Sequence, residues 1–166
     1  MTEHTNRAEA ISKLGDMIKG IRIAMFTTAE LDGTLRSRPM ATQDVEFDGD
    51  IWFFTGASSA KVSEIQQEQQ VNVSYSAPDD NRYVSVSGTA NLVRDPAKIK
   101  QLWNPILKAW FPDGLKDPDL ALLHVQVHQA EYWDSPSSTM IQIVGFLKAI
   151  TTGKRIQGGE NEKIEL

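Results

Sequence analysis

Two Asp-Gly dipeptides, Asp32-Gly33 and Asp48-Gly49, each stand between short β-rich runs. An Asp-Gly pair tolerates the positive φ that a two-residue hairpin turn demands, so each is expected to join neighbouring antiparallel strands. On that reading Ile21 to Thr28, Thr34 to Gln43 with Val45 to Phe47 continuing it, and Ile51 to Phe54 are three consecutive strands. Val71 to Ser76 alternates, Ala77 to Asn81 is a turn, and Tyr83 to Val93 is a long strand with a bend at Gly88. Leu120 to Gln129 and Glu131 to Trp133 supply the last strand material. A parallel sheet would need a crossover helix between most strands, which this pattern lacks. The expected fold is therefore mainly β (α+β): a closed or split antiparallel barrel of six to seven strands with peripheral helices.

The helices fall between the strands. Ile11, Leu14, Met17 and Ile18 have helical spacing within Arg7 to Lys19. Ser59 to Gln69 carries Val62 and Ile65. Asp95-Pro96 starts a third helix, with Asp as N-cap and Pro at the first turn, and Ile106 to Phe111 adds a further helical turn. A last helix is expected from Thr139 to Ile150, with Ser138 as its cap. Pro39 cannot donate a ladder hydrogen bond, so its strand should be an edge or carry a bulge. One domain is expected over residues 1–152, followed by a polar C-terminal tail over 153–166.

Composition removes several function classes. The 166 residues carry a formal net charge of −5, which argues against a nucleic-acid partner. Zero cysteines exclude disulfides and thiol catalysis. The apolar runs are too short to span a bilayer, and MTEHTNRAEA lacks an apolar signal core, so a cytoplasmic location is expected. His124 and His128 would share a strand face about 13 Å apart, too far to ligate one metal, so no metal site is expected. Neither G-x-G-x-x-G nor a P-loop motif is present.

One stretch does carry a chemical signal. Arg36 and Arg38 are two apart in a strand and so share a face. Ile51 to Phe54 runs into the hydroxyl-rich loop Thr55 to Ser59, which opens a helix carrying Lys61. A guanidinium fork, hydroxyls, free N–H groups at a helix start and a lysine suit a phosphate group. A solvated surface of arginines and lysine is the rival reading.

The order RSRPM, tight turn, WFFTGASSAK and a later Glu131-Tyr132-Trp133 resembles the FMN-binding split barrels related to pyridoxamine 5'-phosphate oxidase, in their general stress protein branch. The likeness runs from about Ile21 to Trp133. It implies a flavoprotein, a homodimer with flavin at the subunit interface, and FMN or FAD as cofactor. It assigns the phosphate to Arg38, Thr55 and Lys61, with Ser58 and Ser59 nearby. The backbone of Arg38, Pro39, Met40, Ala41, Thr42 and Gln43, together with Phe54, is assigned to the ring. Tyr83 falls near the interface, and Trp133 at the partner subunit's flavin. For Trp133 a core position closing the last strand is the open alternative.

Three departures bear on function. Ala60 stands where relatives often carry an arginine, a contact for which Arg36, Ser58 or Ser59 could substitute. Gln43 replaces a substrate-phosphate lysine of the true oxidases, and no Arg-x-His follows Trp133. The flavin site is thus expected to be kept and the vitamin B6 site lost. That leaves an oxidoreductase with an unidentified small-molecule redox partner, a non-catalytic flavin carrier or sensor, or a barrel that has lost flavin and serves as an interaction module.

Overall fold

The structure is a computed structural model and describes residues 2–135, 150, 152 and 160–166. Its centre is an antiparallel sheet curled into a split barrel. The strands are β1 (Ile23–Ala29), β2 (Leu35–Ala41), β3 (Asp50–Gly56), β4 (Gln70–Ala77), β5 (Arg82–Val93), β6 (Leu120–Asp134) and β7 (Glu160–Glu165). They lie in the order β2-β1-β4-β5-β6-β3, with β7 also on β6. The long β6 serves two neighbours on one edge: Leu120 to Gln126 pairs with β3, and Gln129 to Asp134 pairs with β7. Three α-helices, α1 (Thr2–Ile18), α2 (Ala60–Gln67) and α3 (Pro96–Leu102), pack around it among the described residues.

The two Asp-Gly turns behave differently. Asp32-Gly33 closes the β1–β2 hairpin: Glu30 N donates to Thr34 O at 2.8 Å, and Gly33 has φ +83°. Asp48-Gly49 does not join neighbouring strands, which corrects the expectation from the sequence. β2 ends at Ala41, and β2 and β3 lie at opposite ends of the sheet order. Val45 to Phe47 is not a continuation of β2. It belongs to a segment bridging the split, where Phe47 packs against the core and Val45 is exposed. Asp48 instead makes a local turn, its carboxylate accepting from Asp50 N at 3.1 Å. Pro39 does sit on an edge strand, since β2 pairs only with β1.

The inner face of β1 is Ala24, Phe26 and Thr28, all buried, while Ile23 and Met25 face outward. Phe26 meets Phe53 edge to face at 5.7 Å, and Leu14 and Met17 of α1 close the barrel end. Arg82 ties α1 down by donating to the carbonyls of Asp16 and Lys19 near its C-terminus. A second apolar cluster lies on the other side of β3 and β6. There Phe54, Leu120 and Leu122 meet Ile99 of α3 and Leu107, a residue of the 3₁₀ turn Pro105–Ala109. Asp95 caps α3 as its sequence indicates, accepting from Ala97 N at 3.0 Å.

The described residues of the expected polar tail are not a free tail. Glu160–Glu165 forms β7, Ile164 is buried in the core, and Tyr132 Oη donates to Glu162 at 2.8 Å. One apolar residue among polar neighbours gives no period-2 signal, so the strand was not legible. The helix expected over Thr139 to Ile150 falls almost entirely outside the described residues.

Candidate functional site

β2 is registered so that Arg38 lies opposite Phe26 and Arg36 opposite Thr28. Both arginines therefore project on the inner side of the sheet, towards α2. The Arg38 guanidinium donates to Thr28 Oγ1 at 2.7 Å and to Glu64 Oε2 at 2.8 Å. Thr28 in turn donates to the same Glu64 oxygen, closing a ring of three side chains. Arg36 reaches the other oxygen, Nη1 to Oε1 at 3.9 Å, and Glu30 at 3.7 Å. The ring is well shielded, with Arg38 and Glu64 side chains 18% and 13% exposed and Thr28 fully buried.

Lys61 lies one turn upstream of Glu64. Its Nζ donates to Ser59 Oγ at 3.3 Å, and Ser59 lies 3.2 Å from the buried Thr55 hydroxyl. Burial, and then the Arg38 charge, lower the Lys61 pKa, with Glu64 opposing them. Arg38 thus lies near enough to Lys61 for their charges to interact, while Ser59 and Thr55 stand beside Lys61. Their donors fit a phosphate ester, with a guanidinium, an ammonium and hydroxyls converging beside the start of α2.

The remaining expected residues are dispersed. Ser58 turns away: its N and Oγ both donate to the Asp119 carboxylate, at 3.0 and 2.8 Å. Met40 is in the main core and the Phe54 ring in the second cluster. Thr42 closes the end of β2, donating through Oγ1 to Ile21 O at 2.6 Å. Pro39 is on the outer face opposite Met25, Ala41 lies opposite Ile23, and Gln43 is half-buried in the bridging segment. Tyr83 and Trp133 pair across β5 and β6 and are 40% and 41% exposed. The core reading of Trp133 does not hold.

Asp119 and Glu64 are the residues that sequence reasoning missed. Asp119 fixes the loop after β3 because Gly56 pairs with Leu120, and that register was not readable. Glu64 had a faint signal in its helical spacing from Lys61. Its main partner, however, is 26 residues away.

Comparison with known proteins places this architecture. The family model described as pyridoxamine 5'-phosphate oxidase like matches residues 9–157. This chain belongs to that family. Protein bli-3 of Neurospora crassa is 30% identical over 156 residues, covering 88% of this chain and 75% of that protein. Among solved structures, the general stress FMN/FAD binding protein of Xanthomonas citri is 32% identical with a TM-score of 0.68, over 79% of this chain and 92% of that one. The General Stress Protein 26 of Bacillus anthracis str. Sterne is 25% identical with a TM-score of 0.63, over 75% and 91%. The resemblance to the general stress branch is borne out. No helix among the described residues is long and apolar enough to cross a membrane.

Electrostatics at the cradle of this pyridoxamine 5'-phosphate oxidase-like chain give a pH prediction. Burial pulls the Glu64 carboxyl upward. Hydrogen bonds from Thr28 and Arg38, with the charges of Arg38 and Arg36, together outweigh it and hold the pKa below the usual 4.5. A depressed folded pKa means that the ionised group stabilises the fold above the unfolded value. That contribution is lost as pH falls through the folded value. Glu64→Gln should therefore melt below wild type at pH 7, and the gap should shrink as pH drops below about 4.5. Thermal melts across that range check it; a gap that stays constant to pH 3 would contradict the assignment.

Proposed function

We propose that this chain is a flavin-binding protein of the general stress type, working as a homodimer with FMN and acting as an oxidoreductase on a small molecule. The observation that carries the reading is that Arg38 and Lys61 lie near enough for their charges to interact, with Ser59 and Thr55 hydrogen-bonded beside Lys61. When bound, the flavin supplies the redox chemistry. The chain's own residues hold its phosphate and set the ring's exposure. Gln43, and the absence of an Arg-x-His after Trp133, speak against a true pyridoxamine-phosphate oxidase.

The sheet faces support the dimer. Arg38 is on the inner face with Phe26, whereas Trp133 is on the outer face with Tyr83. A flavin held at one chain's Arg38 is thus more readily met by Trp133 from a second chain. The outer face also presents Ile23, Met25, Tyr83 and Trp133, all at least 40% exposed, between small side chains such as Ser74 and Ser76. An antiparallel sheet face with that much exposed apolar surface suits a second copy of itself.

The test is direct. Concentrated protein should be yellow, denaturation should release a ligand with the mass of FMN, and sedimentation should give twice 18.5 kDa. A colourless protein that takes up no added flavin would refute the reading. Turnover with NAD(P)H would make it an enzyme, and stoichiometric binding without turnover a carrier. Mixed dimers of Arg38→Ala with Trp133→Ala subunits should keep one normal flavin site. Two equally damaged sites would assign Trp133 to its own chain's flavin.

A further inference from the structure

The phosphate cradle contains an anion of its own. Glu64 accepts from Arg38 at 2.8 Å and from Thr28, and its second oxygen faces Arg36 at 3.9 Å. Two of the five N–H groups of Arg38 are committed to this ring, and the other three have no partner among the described residues. A carboxylate held there does two opposed things. It fixes the guanidinium, which favours binding, and it places a negative charge beside any incoming phosphate, which opposes it.

The surroundings show which effect dominates. Thr28 also braces Arg38, through Nη1 at 2.7 Å, so orientation does not depend on Glu64 alone. The charge effect has no such substitute. Glu30 already draws on Arg36 at 3.7 Å, which leaves Arg38 and Lys61 as the main cations facing a ligand. Beyond Glu64 lies a cleft of about 480 Å³ whose lining includes Glu30, Asp32 and Glu64, a surface unsuited to an anion. In a site so shielded, like charges a few ångströms apart interact more strongly than in water.

We propose that Glu64 is the built-in counter-anion of the cradle, weakening its hold on phosphate esters while stabilising the protein without ligand. Resting on the flavin reading above, this makes Glu64 a specificity-determining residue for the phosphate end of the flavin. It gives the site a reason to release FMN as well as bind it. The design trades ligand affinity for stability of the ligand-free fold.

Glu64→Gln separates the two effects, because the amide oxygen still accepts from Arg38 and Thr28 while the charge is gone. FMN affinity, read by flavin fluorescence, should tighten by about fivefold or more, with riboflavin affinity unchanged. The midpoint for thermal protection by inorganic phosphate should fall by a similar factor. Glu64→Ala is the second variant, and should tighten phosphate binding less because Arg38 loses a brace. Equal or weaker phosphate binding by these variants than by wild type overturns the proposal. If wild type binds FMN and Glu64→Gln does not bind it more tightly, the counter-anion role fails and the flavin reading survives. If no variant binds flavin but phosphate binding still tightens, the flavin reading fails and the counter-anion role survives.

Discussion

Replacing Arg38 by alanine should lower both FMN affinity and fold stability. A charge-assisted contact to phosphate typically contributes about 1.5–3 kcal/mol, so FMN should bind roughly ten- to hundredfold more weakly. Riboflavin, which has no phosphate, should be nearly unaffected and serves as the control. The stability effect has a separate cause. Without Arg38, Glu64 keeps Thr28, a distant Arg36 and the charge of Lys61 while 13% exposed. Breaking a buried pair costs about 3–5 kcal/mol; with some solvent access here, about 2–3 kcal/mol is expected.

The two effects come apart in a double variant. Arg38→Ala with Glu64→Ala removes both charges, and should regain most of the stability while FMN binding stays weak. Arg38→Lys keeps a charge but cannot span Thr28 and a phosphate in one plane, so it should rescue only in part. Urea melts and FMN titrations on the same preparations check all three. Wild-type FMN binding by Arg38→Ala would mean that the cradle lies elsewhere.

What was readable in the sequence was what local pattern controls. The Asp95-Pro96 helix start, the Asp32-Gly33 hairpin, Pro39 on an edge and the hydroxyl loop leading to Lys61 depend on near neighbours. What was not readable depends on register. β3 pairs with β6 across about 70 residues of chain, and that pairing alone brings Asp119 to Ser58. Glu64 meets Arg38 because α2 packs against β1 and Arg38 projects towards it from the paired strand β2. Trp133 shows the difficulty most clearly. Leu123, Val125 and Val127 face the core, and strict alternation carried onward would turn residues 129, 131 and 133 inward. The structure has Ala130 and Tyr132 buried and Trp133 exposed. The phase changes at a bulge, where Ser87 pairs with Gln129 and Gly88 with Val127, leaving His128 extra on β6. An alternation carried through without the bulge would turn Trp133 into the core; the extra residue turns it out.

That bulge depends on Gly88, and Gly88→Ala is expected to be among the most damaging single substitutions. A Cβ built on Gly88 would sit 2.2 Å from Gln126 O and 3.0 Å from its carbonyl carbon. Both are backbone atoms of the paired strand, so no side-chain rotation relieves the clash. β6 must move, and it is held on its other edge by β3 and β7, with Val127 N donating to Gly49 O and Leu166 N to His128 O. Overpacking in a fixed frame costs typically about 1–3 kcal/mol, and a backbone clash belongs at or above the top of that range. At roughly 2–4 °C per kcal/mol for a chain of this size, Tm should fall by about 6–12 °C. Gly20→Ala is the matched control: Gly20 has φ +79° but nothing within 4 Å of an added Cβ, so only conformational strain of about 1–2 kcal/mol applies. Loss of the bulge would also disturb the phase of β6 beyond His128. Gly88→Ala should therefore shift Trp133 emission towards the blue, read as the difference spectrum against the same variant lacking Trp133. A Gly88→Ala protein that melts with wild type and keeps its emission would show that the close approach of β5 and β6 is not what orients Trp133.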